Sequence, residues 1–277
     1  MRAQAPSCPR RSGRPHAMQQ TMPPTTPGSA SSTALPDHMP RAGLILPPGF
    51  SGLTVAGEAH AAACRLAGAG EAEAATLVLG SRADLLDLAV VLAPDEPLRT
   101  ARRAFFAGMA ALADAVGIFG PPEIPVRIVW PGTLTFNGAR LGGGRLGWPD
   151  RCAEEAVPDW LVFSATLIVS KAAAGDPGLT PESTALDEEG FPPDLHGPVA
   201  ESFARHLTKA FEVWREDGFD RLAARYLGRL EDERRGLALD GDEARLVRAD
   251  GSAERVPLIA ALLAPAWREA GTGGVRL

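Results

Sequence analysis

The sequence predicts an α/β fold, with helices packed on a β-sheet and a small β-rich appendage at the C-terminal end. Two observations predict the main fold. Short apolar runs of strand length alternate with segments of helical periodicity, and a strand–turn–strand–turn pattern lies near the middle of the 277 residues. The appendage is predicted by Asp240-Gly241 and Asp250-Gly251, which are typical hairpin turns and divide the end of the chain into short alternating pieces.

The first residues differ in composition from the rest of the chain. Before Asp37 they carry four arginines and no acid, and they are rich in Pro, Ser, Thr and Gly, so they bury too little apolar surface to fold. We predict a disordered tail at 1–42, one domain at 43–232 and a β-rich segment at 233–277. A transit peptide is a second interpretation of the tail, although its prolines would break an amphipathic helix, and a later start methionine is a third.

Composition and charge argue against several classes of function. The net charge of −6 and the pI near 5.5 disfavour nucleic acid as a partner, because phosphate binding needs a basic face. No apolar run approaches the roughly 20 residues that span a bilayer, which argues against a membrane protein. The three cysteines are too few and too irregular for a disulfide framework or a metal site, and they fit a reducing cytoplasm.

The first part of the predicted domain contains one helix and two strands. The Ala-rich run from Glu58 to Leu66 has high helix propensity. It places His60 and Cys64 on one side of the helix, where we expect packed or surface residues, since no catalytic partner is evident. Two apolar runs of strand length follow, at Thr76–Leu79 and Leu85–Leu92.

Apolar periodicity predicts the remaining helices and one more strand. Pro97 is expected in the first turn of a helix, and the run at 159–169 is apolar enough for a buried central strand. A long helix is predicted to end at Gly218 and a shorter one to follow it. The core stripes of these three helices are Phe105, Met109, Leu112 and Val116; Val199, Phe203, Leu207, Phe211 and Trp214; and Phe219, Leu222 and Tyr226.

The middle of the chain predicts an antiparallel hairpin. A strand ending at Trp130 meets Pro131-Gly132, which favours a turn, and a second strand spans Thr133–Phe136. Asn137-Gly138 then suits a type I′ turn, so the next strand should return antiparallel. That strand contains three consecutive glycines, at 142–144. They indicate either the close approach of a ligand or another backbone, or a simple bulge.

This hairpin resembles the core of the biotin/lipoate protein ligase catalytic domain. In that family a strand ending in Lys-Trp-Pro-Asn-Asp leads through a turn into Gly-Arg-Lys-Leu-Ala-Gly. The matching residues here are Val129-Trp130-Pro131-Gly132-Thr133 and Gly138-Ala139-Arg140-Leu141-Gly142-Gly143. The resemblance implies a divergent bacterial member of the family, with a mixed sheet, packed helices and a C-terminal segment of unknown role.

The resemblance also implies a function. These ligases join a carboxylic acid to ATP as an acyl-adenylate and pass the acyl group to a lysine of a carrier domain, so ATP, biotin or lipoate, and a carrier protein are the expected substrates and partner. Arg140 stands in the place of the family's catalytic lysine. The expected substrate-binding residues are Trp130, Pro131, Gly142, Gly143 and Arg82.

Several positions depart from the family pattern. The Gly-Arg-rich loop that covers the adenylate is reduced to Gly80–Asp84, with the single Arg82. A guanidinium replaces the lysine ammonium at Arg140, and such an exchange at a tight site is rarely neutral. Two hypotheses therefore stay open. The protein attaches a biotinyl, lipoyl or related acyl group to a carrier lysine with degenerate adenylation, or it is a non-catalytic relative that binds a small carboxylic acid or a carrier domain.

Overall fold

The computed structural model describes residues 38–40, 43–175 and 177–277. Its main feature is a mixed β-sheet with helices packed on it, which confirms the predicted fold class. The strands of this sheet are β1 (His38–Pro40), β2 (Ser51–Val55), β3 (Thr76–Gly80), β4 (Leu85–Leu92), β5 (Arg127–Val129), β6 (Thr133–Phe136), β7 (Ala139–Gly147) and β8 (Leu161–Ile168).

The order of the strands across the sheet is β1-β2-β3-β4-β8-β7-β6-β5. Strands β2 and β3 pair in parallel, and the other neighbouring pairs of this sheet are antiparallel. Strands β4 and β8 lie in the middle, and both are buried along nearly their whole length because each is covered on two faces.

Six α-helices occur in the described residues, and none of them is long and apolar enough to cross a membrane. They are α1 (Ala59–Ala69), α2 (Leu98–Ala101), α3 (Ala104–Gly117), α4 (His196–Asp217), α5 (Phe219–Leu227) and α6 (Ile259–Leu263). Pro97 precedes a single helical turn, α2, and the longer helix starts only at Ala104, which corrects the expectation of one helix from Pro97.

The two faces of the sheet are covered by different helices. Phe163 and Leu88 lie in the large core with α3, α4 and α5, whereas the alternate residues Val162 and Ala89 lie in a smaller cluster with α1. The predicted stripe of α3 is buried, but so are the other sides of that helix except at Asp114 and Gly117. Helix α3 is therefore enclosed between the sheet and the last two long helices.

The central hairpin forms as predicted. Asn137 and Gly138 have φ of 52° and 78°, and β6 and β7 pair antiparallel across them. Thr135 pairs with Arg140 but Leu134 pairs with Gly142, so Leu141 is the extra residue of a β-bulge. The bulge that the sequence left as one alternative is present, next to the glycines.

A second, three-stranded antiparallel sheet follows α5. It consists of β9 (Gly236–Asp240), β10 (Glu243–Val247) and β11 (Ala253–Pro257). The predicted hairpins form, but Asp240 pairs with Glu243, so the first turn is Gly241-Asp242, and Asp250-Gly251 lies within the second connection. Leu237, Ala244 and Leu246 belong to the same buried cluster as α3 and α5. The division at 232 stays a prediction, since the core is continuous across it. Residues 1–37 and 41–42 of the predicted tail lie outside the described residues.

Candidate functional site

The sheet face beneath α1 carries buried polar side chains. Thr166 of β8 pairs with Asp87 of β4 on one side and with Gly143 of β7 on the other. Asp87 accepts hydrogen bonds from the Ala59 N–H at 2.7 Å and from Thr166 Oγ1 at 3.0 Å. Burial raises the pKa of Asp87 although both hydrogen bonds lower it. A buried carboxyl that joins α1 to the central strands therefore lies at the centre of this face.

His60 of α1 reaches the same face. Its Nδ1 lies 2.7 Å from Ser164 Oγ, and its Nε2 lies 3.5 Å from Cys64 Sγ. Burial, and next the charge of Arg145, lower the pKa of His60 to about 3, so the ring is neutral. Burial raises the pKa of Cys64 to about 11, which leaves an unreactive thiol. The sequence revealed no partner for His60; the structure corrects this and confirms a packed histidine.

A charged cluster lies beside His60. Glu58 Oε1 accepts from Arg145 Nη2 at 2.5 Å and from Arg268 Nη1 at 2.6 Å. Burial raises the pKa of the Glu58 carboxyl, but the two guanidinium groups together lower it further, and the net pKa is below the usual value. Two cations around one anion leave a net positive charge at this end of the face.

The glycines of β7 accommodate the protein itself. A Cβ on Gly143 would collide with the Gly132 carbonyl and with the indole ring of Trp267, and a Cβ on Gly142 would collide with the Thr166 carbonyl. Trp267 is 1% exposed, and its Nε1 donates to the Gly144 carbonyl at 3.2 Å. The predicted close approach is therefore present, with a tryptophan from the C-terminal segment in contact with Gly143.

Arg140 lies beyond these glycines at the start of β7. Its Nε donates to the Arg276 carbonyl at 3.0 Å, and its Nη1 lies 3.9 Å from a Glu182 carboxylate oxygen. Its Nη2 is buried and has no hydrogen-bond partner within the described residues. Burial, and next the charge of Arg276, lower the pKa of Arg140. Arg140 is thus a mostly buried cation with one nitrogen whose donor capacity is unused.

An open cavity of about 500 Å³ adjoins this face at the far end of β7. Arg145, His60 and Cys64 line it from the site side, and Trp148 and Trp160 supply aromatic walls. Among the residues that the structure describes, no group of three or more His, Cys, Asp or Glu side chains could hold a metal ion.

The model of the biotin/lipoate A/B protein ligase family matches residues 46–228. The chain belongs to this family. A biotin protein ligase-like protein of unknown function from Silicibacter sp. is 27% identical, with a TM-score of 0.66 over 79% of this chain and 99% of that one. The biotin protein ligase of Aquifex aeolicus in complex with biotin and ATP is 13% identical, with a TM-score of 0.53 over 73% and 92%. No curated protein matches.

The other predicted site residues of this ligase-family protein have their side-chain or carbonyl partners outside the buried polar side chains. Trp130 stacks on Phe106 at 5.9 Å between ring centroids, and its Nε1 lies 3.4 Å from the Pro257 carbonyl. The Pro131 carbonyl accepts from Tyr226 Oη at 2.8 Å. Both residues therefore connect the hairpin to helices and to the second sheet, and their proposed part in substrate binding stays a prediction.

Arg82 lies on the short loop between β3 and β4. Its side chain is 64% exposed, and its Nε donates to Asp84 Oδ1 at 2.9 Å. The hydrogen bond to Asp84 raises the pKa of Arg82. A guanidinium that is already paired with a neighbour has fewer donors for a ligand, and its predicted role likewise remains untested.

Sequence reasoning missed several members of the site, among them Asp87, Glu58 and Trp267. Asp87 had a signal, because it is the one acid in the otherwise apolar run Leu85–Leu92, and a charge in a buried strand needs partners. Glu58 had no distinguishing signal, because an acidic residue just before a helix is common. Trp267 had no signal at all, because it meets Gly144 across 123 residues of sequence.

Proposed function

We propose that this ligase-family protein binds a small carboxylic acid on the sheet face beneath α1, and that it does not activate the acid with ATP. The observation that supports this most directly is the buried Nη2 group of Arg140, which has no hydrogen-bond partner within the described residues. Nε and Nη2 lie on one edge of the planar guanidinium, and the two oxygens of a carboxylate match that edge. At present one carbonyl oxygen, from Arg276, accepts from Nε alone.

The β3–β4 loop supports the second part of the proposal. Only Ser81–Asp84 separate the two strands, and Arg82 is paired with Asp84. Holding the phosphates of ATP requires several converging N–H donors or cations around them. A four-residue connection with one paired arginine supplies few of them, so the acid would be bound as the free carboxylate.

The rest of the face suits the body of such an acid. Gly143 lets a flat group lie against the backbone of β7, as the indole of Trp267 now does beside the Gly132 carbonyl. Ser164, Thr166 and Asp87 make the adjoining strands polar, and their hydrogen bonds to His60, to each other and to the Ala59 N–H hold this part of the face in place. Biotin and lipoic acid, which combine a carboxylate, an apolar chain and a ring, are the first acids to test. A cytoplasmic location is part of this proposal, because it rests on the few, unpatterned cysteines.

A second candidate function is transfer of the acyl group to a carrier lysine. Arg140 favours it, because this cation occupies the position of the family's catalytic lysine and is mostly buried. Electrostatic stabilisation of developing negative charge is what such a residue would supply. Incubation with preformed biotinyl-adenylate and a biotin carrier domain, followed by mass measurement of the carrier, separates the two candidates. A carrier that gains the acyl mass only with wild-type protein supports transfer, and an unmodified carrier supports binding alone.

Replacing Arg140 tests the proposed site. Titration calorimetry with biotin, lipoic acid and octanoic acid should show binding that Arg140→Ala weakens about ten- to a hundredfold, because a charge-assisted pair to a carboxylate is lost. Arg140→Lys keeps the positive charge but loses the edge with two N–H donors. Its affinity for the acid should therefore lie between those of the wild type and Arg140→Ala.

Arg99→Ala is the matched control. Arg99 is half exposed and paired with Glu155, away from the polar face, so its loss should leave affinity unchanged within about twofold. Equal affinity of the wild type and Arg140→Ala for an acid that binds would contradict the role of Arg140.

A further inference from the structure

The last residues of the chain fold back over the proposed site. We call residues 265–277 the C-terminal strap. Within it the Arg276 N–H donates to the Trp267 carbonyl at 2.9 Å, and the Glu269 N–H donates to the Gly274 carbonyl at 3.0 Å. Gly273 takes a φ of +67° and donates to the Glu269 carbonyl at 2.9 Å. The strap is thus a small hairpin with its own backbone hydrogen bonds.

The strap occupies both ends of the proposed binding face. At one end the indole of Trp267 lies against Gly143 and donates to the Gly144 carbonyl. At the other end the Arg276 carbonyl accepts from Arg140 Nε. The strap thereby places a flat ring over the glycines and an oxygen at the guanidinium. A carboxylic acid with a ring at the far end of its chain would place the same two groups there.

Ionic contacts hold the strap against the start of α1 and against the segment between β8 and α4. Arg268 donates to the same Glu58 oxygen that Arg145 contacts, and Arg276 Nη2 lies 3.8 Å from a Glu182 oxygen. The strap also lies outside the part of the chain that matches the family, 46–228. It is therefore an addition to the ligase-family domain that reaches back into it.

The attachment of the strap is limited. Trp267 is its one fully buried large side chain, and Glu269, Ala270, Gly271 and Thr272 are exposed. Its single carbonyl leaves Arg140 Nη2 without a partner, whereas a carboxylate would offer an oxygen to each N–H of that edge. A ligand could thus satisfy the site better than the strap does, which is the condition for displacement rather than permanent closure.

We propose that the C-terminal strap is an autoinhibitory plug, which competes with the carboxylic acid for Arg140 and for the space above Gly143. This inference rests on the proposed function, because it concerns the regulation of the same site. When only a fraction of the molecules has the strap displaced, the apparent affinity is reduced by that fraction. Opening the strap by mutation should therefore tighten acid binding.

Two charge-neutral substitutions open the strap in different ways. Trp267→Ala removes the ring above Gly143. Gly273→Pro is incompatible with the positive φ and removes the Gly273 N–H donor, so it disrupts the hairpin without changing any residue that touches the site. Titration calorimetry with lipoic acid and biotin should show at least about tenfold tighter binding for each variant than for the wild type.

Each variant has a matched control. Trp214→Ala removes a tryptophan that packs on Phe211 of α4, and Gly251→Pro strains another surface hairpin where glycine has φ +83° and donates to a carbonyl at 3.1 Å. Both controls should bind the acids as the wild type does. In the wild type, saturating acid should also speed amide hydrogen exchange across 265–277, which a purely structural strap would not show.

The outcomes separate the two proposals. If Gly273→Pro and Trp267→Ala bind an acid no more tightly than the wild type, the strap is structural and the plug is overturned, while acid binding stands. If Trp267→Ala does not fold, the acid affinity of Gly273→Pro alone decides: binding no tighter than that of the wild type overturns the plug. If a folded, opened variant binds neither acid, the proposed function fails and the plug fails with it.

Discussion

At the scale of single residues, burial determines which groups of the site are charged. His60 is neutral because it lies among packed residues beside Arg145, and Asp87 has a raised pKa because it lies beneath α1. Glu58 keeps its negative charge because two arginines contact one of its oxygens. The contribution of His60 to the free energy of unfolding therefore depends on pH.

We expect acid to destabilise the protein through His60. The unfolded chain protonates this ring near pH 6.5, whereas the folded protein does so only near pH 3. Stability from the neutral ring is complete above pH 6.5 and is lost as the pH falls towards 3. Between pH 7 and pH 4 this loss is on the order of 3 kcal/mol.

Denaturant unfolding of the wild type and His60→Gln at several pH values checks this. The amide that this substitution introduces does not take up a proton in this pH range. The free energy of unfolding of the wild type should therefore fall relative to that of the variant as the pH falls. The raised pKa of Asp87 acts in the opposite direction, but it is common to both proteins and largely cancels in the difference. If the difference in unfolding free energy between the two proteins stayed constant from pH 7 to pH 4, the inference that His60 is buried and neutral would be wrong.

At the scale of elements, the hairpin β5–β6–β7 links the polar face to the helical core. The turn at Trp130 and Pro131 packs against Phe106 of α3 and Tyr226 of α5. Burial raises the pKa of Tyr226, so its hydroxyl stays protonated and donates to the Pro131 carbonyl. This contact fixes the turn that precedes Gly132, whose carbonyl accepts from the Gly144 N–H at 2.8 Å.

Tyr226→Phe tests that link. The substitution keeps the ring but leaves the buried Pro131 carbonyl without its donor, which should cost about 1–3 kcal/mol of unfolding free energy. Urea unfolding measures it, and an unchanged m-value would show that the denatured state is unaffected. A loss below about 0.5 kcal/mol would mean that the hydrogen bond contributes little to holding the turn.

Local signals account for what the sequence predicted at this scale. Asn137, Gly138, Gly241 and Gly251 specify their turns through positive φ, which few other residue types adopt. The glycines at 142–144 indicated close approach but not the approaching group, because Trp267 is distant in sequence and lies in no recognisable pattern. A side chain at Gly143 would meet the Gly132 carbonyl as well as Trp267, so such a change affects folding as well as any ligand.

At the scale of the whole molecule, a ligase-family domain is combined with a C-terminal segment that packs into its core and ends on its polar face. The fold class was predictable from periodicity, and the family from the residues around Trp130 and Arg140. Neither the buried polar side chains of the sheet face nor the position of the C-terminal strap was predictable. The former depend on strand register, and the latter depends on contacts between distant parts of the chain. We propose that this domain binds an acid without forming an adenylate.

Acid-dependent exchange of labelled pyrophosphate into ATP tests that claim most directly, because exchange requires reversible formation of the acyl-adenylate. The assay should include biotin, lipoic acid and octanoic acid, with both the wild type and Trp267→Ala, so that a closed strap cannot account for inactivity. We predict no exchange above the acid-free background in either protein, because the Ser81–Asp84 connection provides few donors for the phosphates. Exchange that depends on any of these acids, in either protein, would contradict the account.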